Sequence, residues 1–181
     1  ITHWGLSGPA VLKLSAWGAR QLAELNYHFE VAVNWLGEIN ETALREEWPF
    51  YREQMATQKM SNKSPFALPN RLWQFLLLEA GIGADTKWAE LKSVQQNKLI
   101  QLLTHSIYAI SGKTTFKEEF VTAGGISLSE IHPQTMESRI APNLYFAGEV
   151  MDVDGITGGF NFQHAWTSGF IAANAIAQKF A

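Results

Sequence analysis

The sequence predicts an α+β fold, and three features of its 181 residues support that prediction. Residues from about 40 to 111 repeat apolar side chains at the spacing of helices. Residues 28–35 alternate apolar and polar side chains, which is the period of a half-buried strand. Residues 142–178 read as a short apolar strand, a loop and a long helix. A few strands beside a helical bundle, followed by one strand–loop–helix unit, indicate α+β.

The first segment, residues 1–39, is predicted to hold one helix and one strand. Pro9 suits the first helical position, because the N–H that it lacks would be unpaired there, and Gly8 can sit at the cap. Apolar spacing carries this helix through Val11, Leu14, Gly18, Leu22 and Leu25. The apolar face of the following strand holds Phe29, Val31, Val33 and Trp35.

The second segment, residues 40–111, is predicted to be a small helical bundle. Asn40 caps a helix that Pro49 interrupts or kinks. Pro69 opens a second helix that closes at Gly81, and Ser93 with Gln96 forms a capping box for a third. The side chains expected on the inward faces are Leu44, Trp48, Leu72, Phe75, Leu76, Leu99, Leu102, Leu103 and Ile107.

The third segment, residues 112–181, is predicted to hold two short strands and one long helix. Phe116–Ala123 is predicted to be a strand before a Gly124-Gly125 turn, and Leu144–Ala147 a second strand that Gly148 ends. A long helix then runs from Thr157 to about Gln178. Because residues 155–178 contain no Asp, Glu, Lys or Arg, we expect this helix to be covered on most sides.

Composition excludes several classes of protein. Apolar residues make up 46% and charged residues 17%, which excludes disorder. The net charge of −3 argues against a general nucleic-acid binder. Without cysteine there is no disulfide, thiolate zinc site or thiol nucleophile. The sequence has no bilayer-spanning stretch and no opening signal peptide, so we expect a cytoplasmic protein.

The histidines and tryptophans do not indicate a binding site. The five histidines have no metal-ligand spacing, so no metal site is expected. The seven tryptophans are scattered and fall mostly on apolar faces, so we interpret them as core residues rather than as a carbohydrate platform. The chain begins at Ile1 rather than Met, which indicates a processed start or a piece of a longer protein.

The candidate ligand site is the start of the last helix. The first turn of a helix presents unpaired N–H groups and a partial positive charge. Gly158 and Gly159 leave that backbone bare, so an anionic or acceptor-rich ligand can touch it. Glu149 follows the predicted strand and can accept hydrogen bonds from ligand hydroxyls, such as a sugar or ribitol chain. The alternative interpretation is that Gly158-Gly159 is only a tight strand–helix turn and that Glu149 is a solvated loop acid.

Four motifs in order then carry a family resemblance. They are Thr2-His-Trp-Gly-Leu-Ser-Gly-Pro-Ala10, then Val121-Thr-Ala-Gly-Gly125, then Thr135-Met-Glu-Ser138, then Asn143-Leu-Tyr-Phe-Ala-Gly-Glu149 with Asp152-Val-Asp-Gly155 and Thr157-Gly-Gly-Phe-Asn-Phe-Gln163. Together they resemble the bacterial NAD(P)/FAD-dependent oxidoreductases related to aminoacetone oxidase, often described only as predicted flavoproteins.

The resemblance implies an FAD-binding α/β domain that is split in sequence by an inserted β-barrel and helical region. This chain would then hold part of the insert (residues 1–39 and 40–111) and the returning tail of the FAD domain (112–181). It also implies a cofactor-binding set, comprising Gly148, Glu149, Gly158, Gly159, Phe160 and Asn161. A second set is expected to line the space near the flavin ring, comprising Ser7, Gly8, Pro9, Thr122, Ala123, Gly124 and Gly125. No catalytic residue is identified.

One element of such a cofactor site is missing from the sequence. No Gly-x-Gly-x-x-Gly pattern follows a strand to hold the pyrophosphate. We therefore expect a fragment of an FAD-dependent, NAD(P)-linked oxidoreductase with a small-molecule substrate, which does not retain FAD alone and tends to self-associate. The competing hypothesis is a non-enzymatic, mainly helical protein-interaction module.

Overall fold

The computed structural model describes residues 1–114, 121–156 and 158–181. The longer elements are α1 (Pro9–Trp17), α2 (Ala19–Glu24), β1 (His28–Val33), α3 (Glu41–Gln54), α4 (Asn70–Glu79), α5 (Ser93–Thr104), β2 (Ser106–Ser111) and α6 (Phe160–Phe180). Short 3₁₀ turns lie at Trp88–Glu90, Leu128–Glu130 and Gly148–Val150. This mixture confirms the α+β prediction. Across these three ranges, no helix combines the length and hydropathy that crossing a bilayer requires.

The chain divides into two compact units. The helical unit is Phe29–Ile110, and the terminal unit joins Ile1–His28 with Ser111–Ala181. The helical unit therefore begins after His28 and ends before Ser111, whereas the sequence predicted boundaries after residues 39 and 111. Residues 29–39 belong to the helical unit.

The helical unit packs α3, α4 and α5 around a core of large side chains. Asn40 caps α3 by accepting the N–H of Ala43 at 2.9 Å, as predicted, and Pro49 lies inside α3 without ending it. Indole rings fill the centre: the ring centroids of Trp48 and Trp88 lie 5.6 Å apart, and Trp73 stacks on Trp88 at 6.3 Å. The buried core comprises Leu44, Trp48, Met60, Trp73, Leu76, Leu77, Ala80, Ile82, Trp88, Leu91, Leu99, Ile100 and Leu103.

The second segment also contains a strand that sequence analysis assigned to a helix. Residues 106–111 form β2, which pairs with β1 in a two-stranded sheet. Ile107 is accordingly half exposed on a strand rather than buried on a helix. The alternation of β1 is confirmed, with Phe29, Val31 and Val33 on the more buried face.

Two further predictions for the helical bundle, the capping box of α5 and the burial of Phe75, are wrong. Ser93 is the first residue of α5 rather than its cap, and only one half of a capping box is present, in which Gln95 Oε1 accepts the N–H of Lys92 at 3.4 Å. The Lys92 ammonium has no acceptor that could complete the box. Phe75 points outward, whereas its neighbours Trp73 and Leu76 are fully buried.

The amino-terminal part of the terminal unit contains α1 and α2. As predicted, Pro9 opens α1 and Gly8 caps it. The predicted single helix is divided at Gly18, which leaves helical geometry with φ −96° and ψ 9°. A side chain at Gly18 would stand 3.3 Å from the Leu14 carbonyl and from Leu22, so glycine lets the two helices join closely.

The carboxy-terminal part of the terminal unit differs more from prediction. Residues 144–147, which were predicted to be a strand, form an isolated antiparallel bridge between Tyr145 and Glu137 and no regular strand with the described residues. Of the predicted strand 116–123, residues 116–120 lie outside the described ranges, and 121–123 are irregular. α6 begins within a few residues of the predicted position.

The expectation that α6 is covered on most sides is wrong for the described residues. Phe162, Trp166 and Phe170 are each 70% exposed, and α6 buries only Ser168 and Ala172. The residues packed beside α6 include the 3₁₀ turn Gly148–Val150. Trp4, Trp17 and Trp166 are likewise exposed, so the interpretation of the tryptophans as core residues is wrong for these three. It is confirmed for the fully buried Trp48, Trp73 and Trp88 and for Trp35, which packs against their cluster.

Candidate functional site

The start of α6 presents bare backbone. Gly159 precedes the helix in the left-handed region with φ 88°, and Gly158 has φ 124°. Apart from its two chain neighbours, no described residue has a heavy atom within 4 Å of the position that a Cβ on Gly159 would occupy. The first-turn N–H groups have no intrahelical partner, so this helix start can receive an acceptor-rich group.

The loop before α6 is fixed by one side chain. Asn161 Oδ1 accepts the N–H of Gly155 at 2.7 Å, and Asn161 Nδ2 donates to the Gly155 carbonyl at 3.0 Å. A Cβ on Gly155 would stand 3.0 Å from Asn161 Oδ1. The amide of Asn161 therefore shapes the loop, while the neighbouring Phe160 ring is 59% exposed.

Gly148 and Glu149 lie beside the middle of α6 rather than at its start. The N–H of Gly148 donates to Ser168 Oγ at 2.9 Å, and the Ser168 hydroxyl lies 2.8 Å from the His164 carbonyl. Gly148 has φ 75°, which favours glycine. Since a helix rises 1.5 Å per residue, Gly148 lies about 12 Å along α6 from its first turn. The Glu149 side chain is exposed.

The Gly124-Gly125 motif packs on the same loop. The N–H of Ile126 donates to the Val150 carbonyl at 2.9 Å, and the N–H of Asp152 donates to the Ile126 carbonyl at 3.0 Å. A Cβ on Gly125 would lie 2.7 Å from the Val150 oxygen, so only glycine fits this approach. The structure thus brings Gly124 and Gly125 beside the loop that carries Glu149.

Other residues of the predicted lining set are less closely connected. Thr122 and Ala123 are exposed and precede the glycine pair. Ser7, Gly8 and Pro9 form the start of α1, and within the described ranges no hydrogen bond joins them to residues 148–161. Their predicted place near a flavin ring stays a prediction.

An ion pair that sequence analysis missed ties α2 to the candidate loop. Arg20 Nη2 lies 2.5 Å and 2.7 Å from the two carboxylate oxygens of Asp152. This hydrogen bond, with the nearby charge of Asp154, raises the pKa of the Arg20 guanidinium above its ordinary value. The signal in the sequence was complementary charge, since Arg20 and Lys13 are the cationic side chains of residues 1–28 and Asp152-Val-Asp154 is acidic.

Beside this ion pair lies an open cleft of about 340 Å³ within the terminal unit. Its lining includes Trp17, Arg20 and Gln21 from the α1–α2 region and Asp154 and Ile156 from the loop before α6. The cleft therefore combines an aromatic face, a cation, an amide and a carboxylate within a few residues of the helix start.

The Thr135–Ser138 motif holds the other end of α6. Glu137 Oε1 accepts from Lys179 Nζ at 2.7 Å and from the N–H of Asn143 at 2.8 Å. Both contacts lower the pKa of the Glu137 carboxyl, the hydrogen bond from Lys179 most of all. Ser138 Oγ accepts the N–H groups of Ile140 and Ala141, each at 3.1 Å. The motif thus positions the segment that leads to Gly148.

Comparison with known protein families finds two family models that match this chain. A family model described as "HI0933-like protein Rossmann domain" matches residues 78–175, and one described as "HI0933-like protein barrel and H2TH domain" matches residues 1–121.

Three curated relatives align with almost the whole chain. It is 38% identical over 181 residues to a protein of Escherichia coli (strain K12) named ribosomal RNA dihydrouridine synthase, covering 99% of the chain and 42% of that protein. It is 32% identical over 179 residues to a 3-dehydro-bile acid delta(4,6)-reductase of Clostridium scindens, covering 99% and 44%. It is 32% identical over 184 residues to a ribosomal RNA dihydrouridine synthase of Haemophilus influenzae, covering 99% and 42%. The chain spans less than half the length of these relatives.

Proposed function

Because the chain belongs to the HI0933-like family of Rossmann-type flavoproteins, we propose that it forms part of a flavin-dependent reductase that acts on a ring double bond conjugated with a carbonyl group. The observation that carries the proposal is the bare glycine start of α6, in a chain of this family. Family membership favours the enzyme over the helical interaction module that the sequence also allowed.

The names of the relatives support the substrate chemistry. Dihydrouridine is uridine with two hydrogens added to the ring double bond next to a carbonyl. A 3-dehydro-delta(4,6) bile acid carries double bonds conjugated with a ring carbonyl. Both names describe addition of hydrogen across a carbon–carbon double bond that a carbonyl polarises. We extend that reaction class to this chain, with NAD(P)H as the proposed source of hydride.

The residues present fit the ribityl and ring end of FAD. When bound, the flavin supplies hydride transfer. The bare N–H groups after Gly159 would meet its acceptor-rich edge, and the helix dipole would stabilise negative charge there by about 0.3–2 kcal/mol. Glu149 would accept hydrogen bonds from ribityl hydroxyls. The exposed ring of Phe160 would lie beside the isoalloxazine, and Asn161 would hold the loop in place.

The pyrophosphate of FAD is usually bound by a Gly-x-Gly-x-x-Gly turn, and these 181 residues contain no such turn. We therefore propose that the chain alone does not retain FAD, and that β1 and β2 belong to a barrel inserted into a split FAD domain. We also keep the cytoplasmic location as a proposal. That the chain has no nucleic-acid partner stays a prediction. It should be tested, because two of the relatives are named for ribosomal RNA.

The test is the flavin content of the full reading frame that encodes this chain. We expect the purified product to show a flavin absorbance spectrum. Gly159→Ala would place a methyl group over the bare helix start and weaken flavin binding about tenfold or more. Gly81→Ala is the matched control, since Gly81 also has a left-handed φ of 69° and open space around it but lies in the helical unit.

Two results would overturn the proposal. One is a product that stays colourless when FAD is added. The other is an equal loss of flavin in the Gly159→Ala and Gly81→Ala variants, because backbone strain alone would then explain the loss.

A further inference from the structure

The cleft beside the Arg20–Asp152 ion pair carries features of a binding site that the flavin assignment does not use. Its volume of about 340 Å³ lies at the lower end of the range for small-ligand pockets. That size suits one or two rings rather than a four-ring skeleton. The cleft and the start of α6 belong to the same unit, and the chain joins them through Ile156 and Gly158.

The lining specifies a ligand class. The Trp17 side chain is 78% exposed, so its ring offers a face on which a planar ring can stack. Arg20 donates hydrogen bonds, Asp154 accepts them, and the Gln21 amide does both. A ring that has an N–H group between carbonyl oxygens presents the complementary set. Uracil is such a ring, and the small or apolar side chains of Ala16, Ala19 and Ile156 complete the lining around it.

The ion pair gives the site a fixed cation. Among the described contacts, Arg20 donates to Asp152 through Nη2 alone, and both carboxylate oxygens of Asp152 accept from that nitrogen. A guanidinium carries five N–H donors in a planar fork. Among the described residues, no hydrogen bond uses the N–H groups on Nε and Nη1 of Arg20, whose side chain is 61% exposed.

We propose that Trp17, Arg20, Gln21 and Asp154 bind the pyrimidine ring of a uridine substrate in this cleft. The proposal rests on the proposed reductase function for its substrate class, and it assigns binding and orientation, not hydride chemistry, to these residues. Trp17 stacks on the ring, Arg20 donates to a ring carbonyl, and Asp154 accepts the ring N–H.

The test uses the 181-residue chain labelled with fluorotryptophan and titrated with uridine. Its seven tryptophans give separate fluorine NMR signals, and the Trp17→Phe variant assigns the Trp17 signal. We expect the Trp17 signal to shift saturably, with a dissociation constant on the order of 1 mM. Trp166 is the internal control, since it is 70% exposed in the same unit and its signal should not move.

Three comparisons sharpen the result. Dihydrouridine, whose saturated ring is no longer flat, should bind at least about fivefold more weakly than uridine because it stacks poorly. Arg20→Gln and Asp154→Asn should each weaken uridine binding about fivefold or more. Lys13→Gln, which removes the other cation of residues 1–28, should leave binding unchanged. Circular dichroism of each variant confirms that it is folded.

Three outcomes overturn the proposal. They are a Trp17 signal that does not respond, equal shifts of Trp17 and Trp166, and a cleft that prefers NADH or a bile acid over uridine. The titration contains no flavin, so its result is independent of the flavin test. A uridine-responsive chain from a colourless full-length protein would leave the cleft assignment standing and remove the flavin proposal.

Discussion

Trp48, Trp73 and Trp88 in the helical unit are at most 1% exposed, whereas Trp4, Trp17 and Trp166 in the terminal unit are at least 70% exposed. The same contrast runs through the other apolar side chains. The helical unit buries thirteen in one cluster, and the described part of the terminal unit buries Ile131, Met151 and Ala172. One unit has a core of its own. The other holds its shape through backbone bridges, glycine turns and a few ion pairs, and it leaves the residues of the candidate site accessible.

The largest expected effect comes from truncating matched tryptophans. Trp73→Ala removes a buried indole and its 2.7 Å hydrogen bond to the Met60 carbonyl, so it should destabilise the helical unit by about 3–5 kcal/mol. Trp166→Ala should change stability by about 0.5 kcal/mol or less. Urea unfolding followed by circular dichroism and hydrogen exchange measures both. Equal losses would show that the contrast between the units is false.

A second prediction concerns the exposed stripe of α6. Phe162, Trp166 and Phe170 are spaced four residues apart on one helix, and exposed apolar stripes favour association. We expect the chain to self-associate and the triple change of these residues to Ser to weaken association at least about tenfold. Sedimentation velocity measures it.

The matched control for this stripe is in the helical unit. The double change of Phe75 and Leu78 to Ser removes two exposed apolar side chains from α4 and should leave association unchanged. A wild-type chain that sediments as a monomer at all concentrations would contradict the prediction.

The third prediction tests the backbone packing of the terminal unit. Gly125→Ala forces a methyl group to within 2.7 Å of the Val150 carbonyl, at a φ of 150°, and should cost about 1–3 kcal/mol. The amide N–H groups of Ile126 and Asp152 should then exchange faster. Gly169→Ala, in an open helical position, should instead stabilise α6 by up to about 1 kcal/mol. If both variants behave alike, Gly125 is not a packing constraint.

The smallest effect is the pH dependence of the Glu137–Lys179 contact. Lys179 lowers the pKa of the Glu137 carboxyl below its ordinary 4.5, so the contact stabilises the fold above pH 4.5 and is lost as the pH falls through the lowered pKa. Glu137 in turn raises the pKa of Lys179 above 10.5, so that stability is complete below pH 10.5 and is lost as the pH rises through the raised pKa.

Hydrogen exchange at the end of α6 measures this dependence between pH 3 and pH 7. Protection should fall at the acid end in the wild type, and Glu137→Gln should flatten the profile. Glu130→Gln, a change to an exposed acid in the same unit, should leave the profile as it is. A wild-type profile that is already flat would contradict the assignment.

Local chemistry made much of the fold predictable. Asn40 and Pro9 mark helix starts because their caps depend on neighbours within one turn. Burial and pairing were harder, since they depend on distant residues. β2 was missed because its apolar residues continue the helical spacing of α5, and only pairing with β1 makes residues 106–111 a strand.

The candidate site divides in the same way. The bare glycine start of α6 could be predicted from Gly158 and Gly159, because the absence of side chains there depends on these two residues alone. The Arg20–Asp152 pair and the cleft beside it could not be predicted in this way, since the two partners lie 132 positions apart in the sequence. The absence of charged side chains from residues 155–178 did not predict the exposure of α6, because composition does not say whether a covering surface is present.

The hydrogen bond from the N–H of Gly112 to the Tyr27 carbonyl, 2.8 Å long, has a consequence for the order of folding. Closing a loop of 132 residues between Arg20 and Asp152 carries an entropic cost that grows with the logarithm of its length. Once the helical unit has formed and β1 has paired with β2, residues 27 and 112 are already neighbours, and the remaining loop is far shorter. The residues of the helical unit are synthesised before Asp152, and domains generally fold as units from the amino terminus. We therefore expect the helical unit to fold first and to bring together the two sequence segments of the terminal unit.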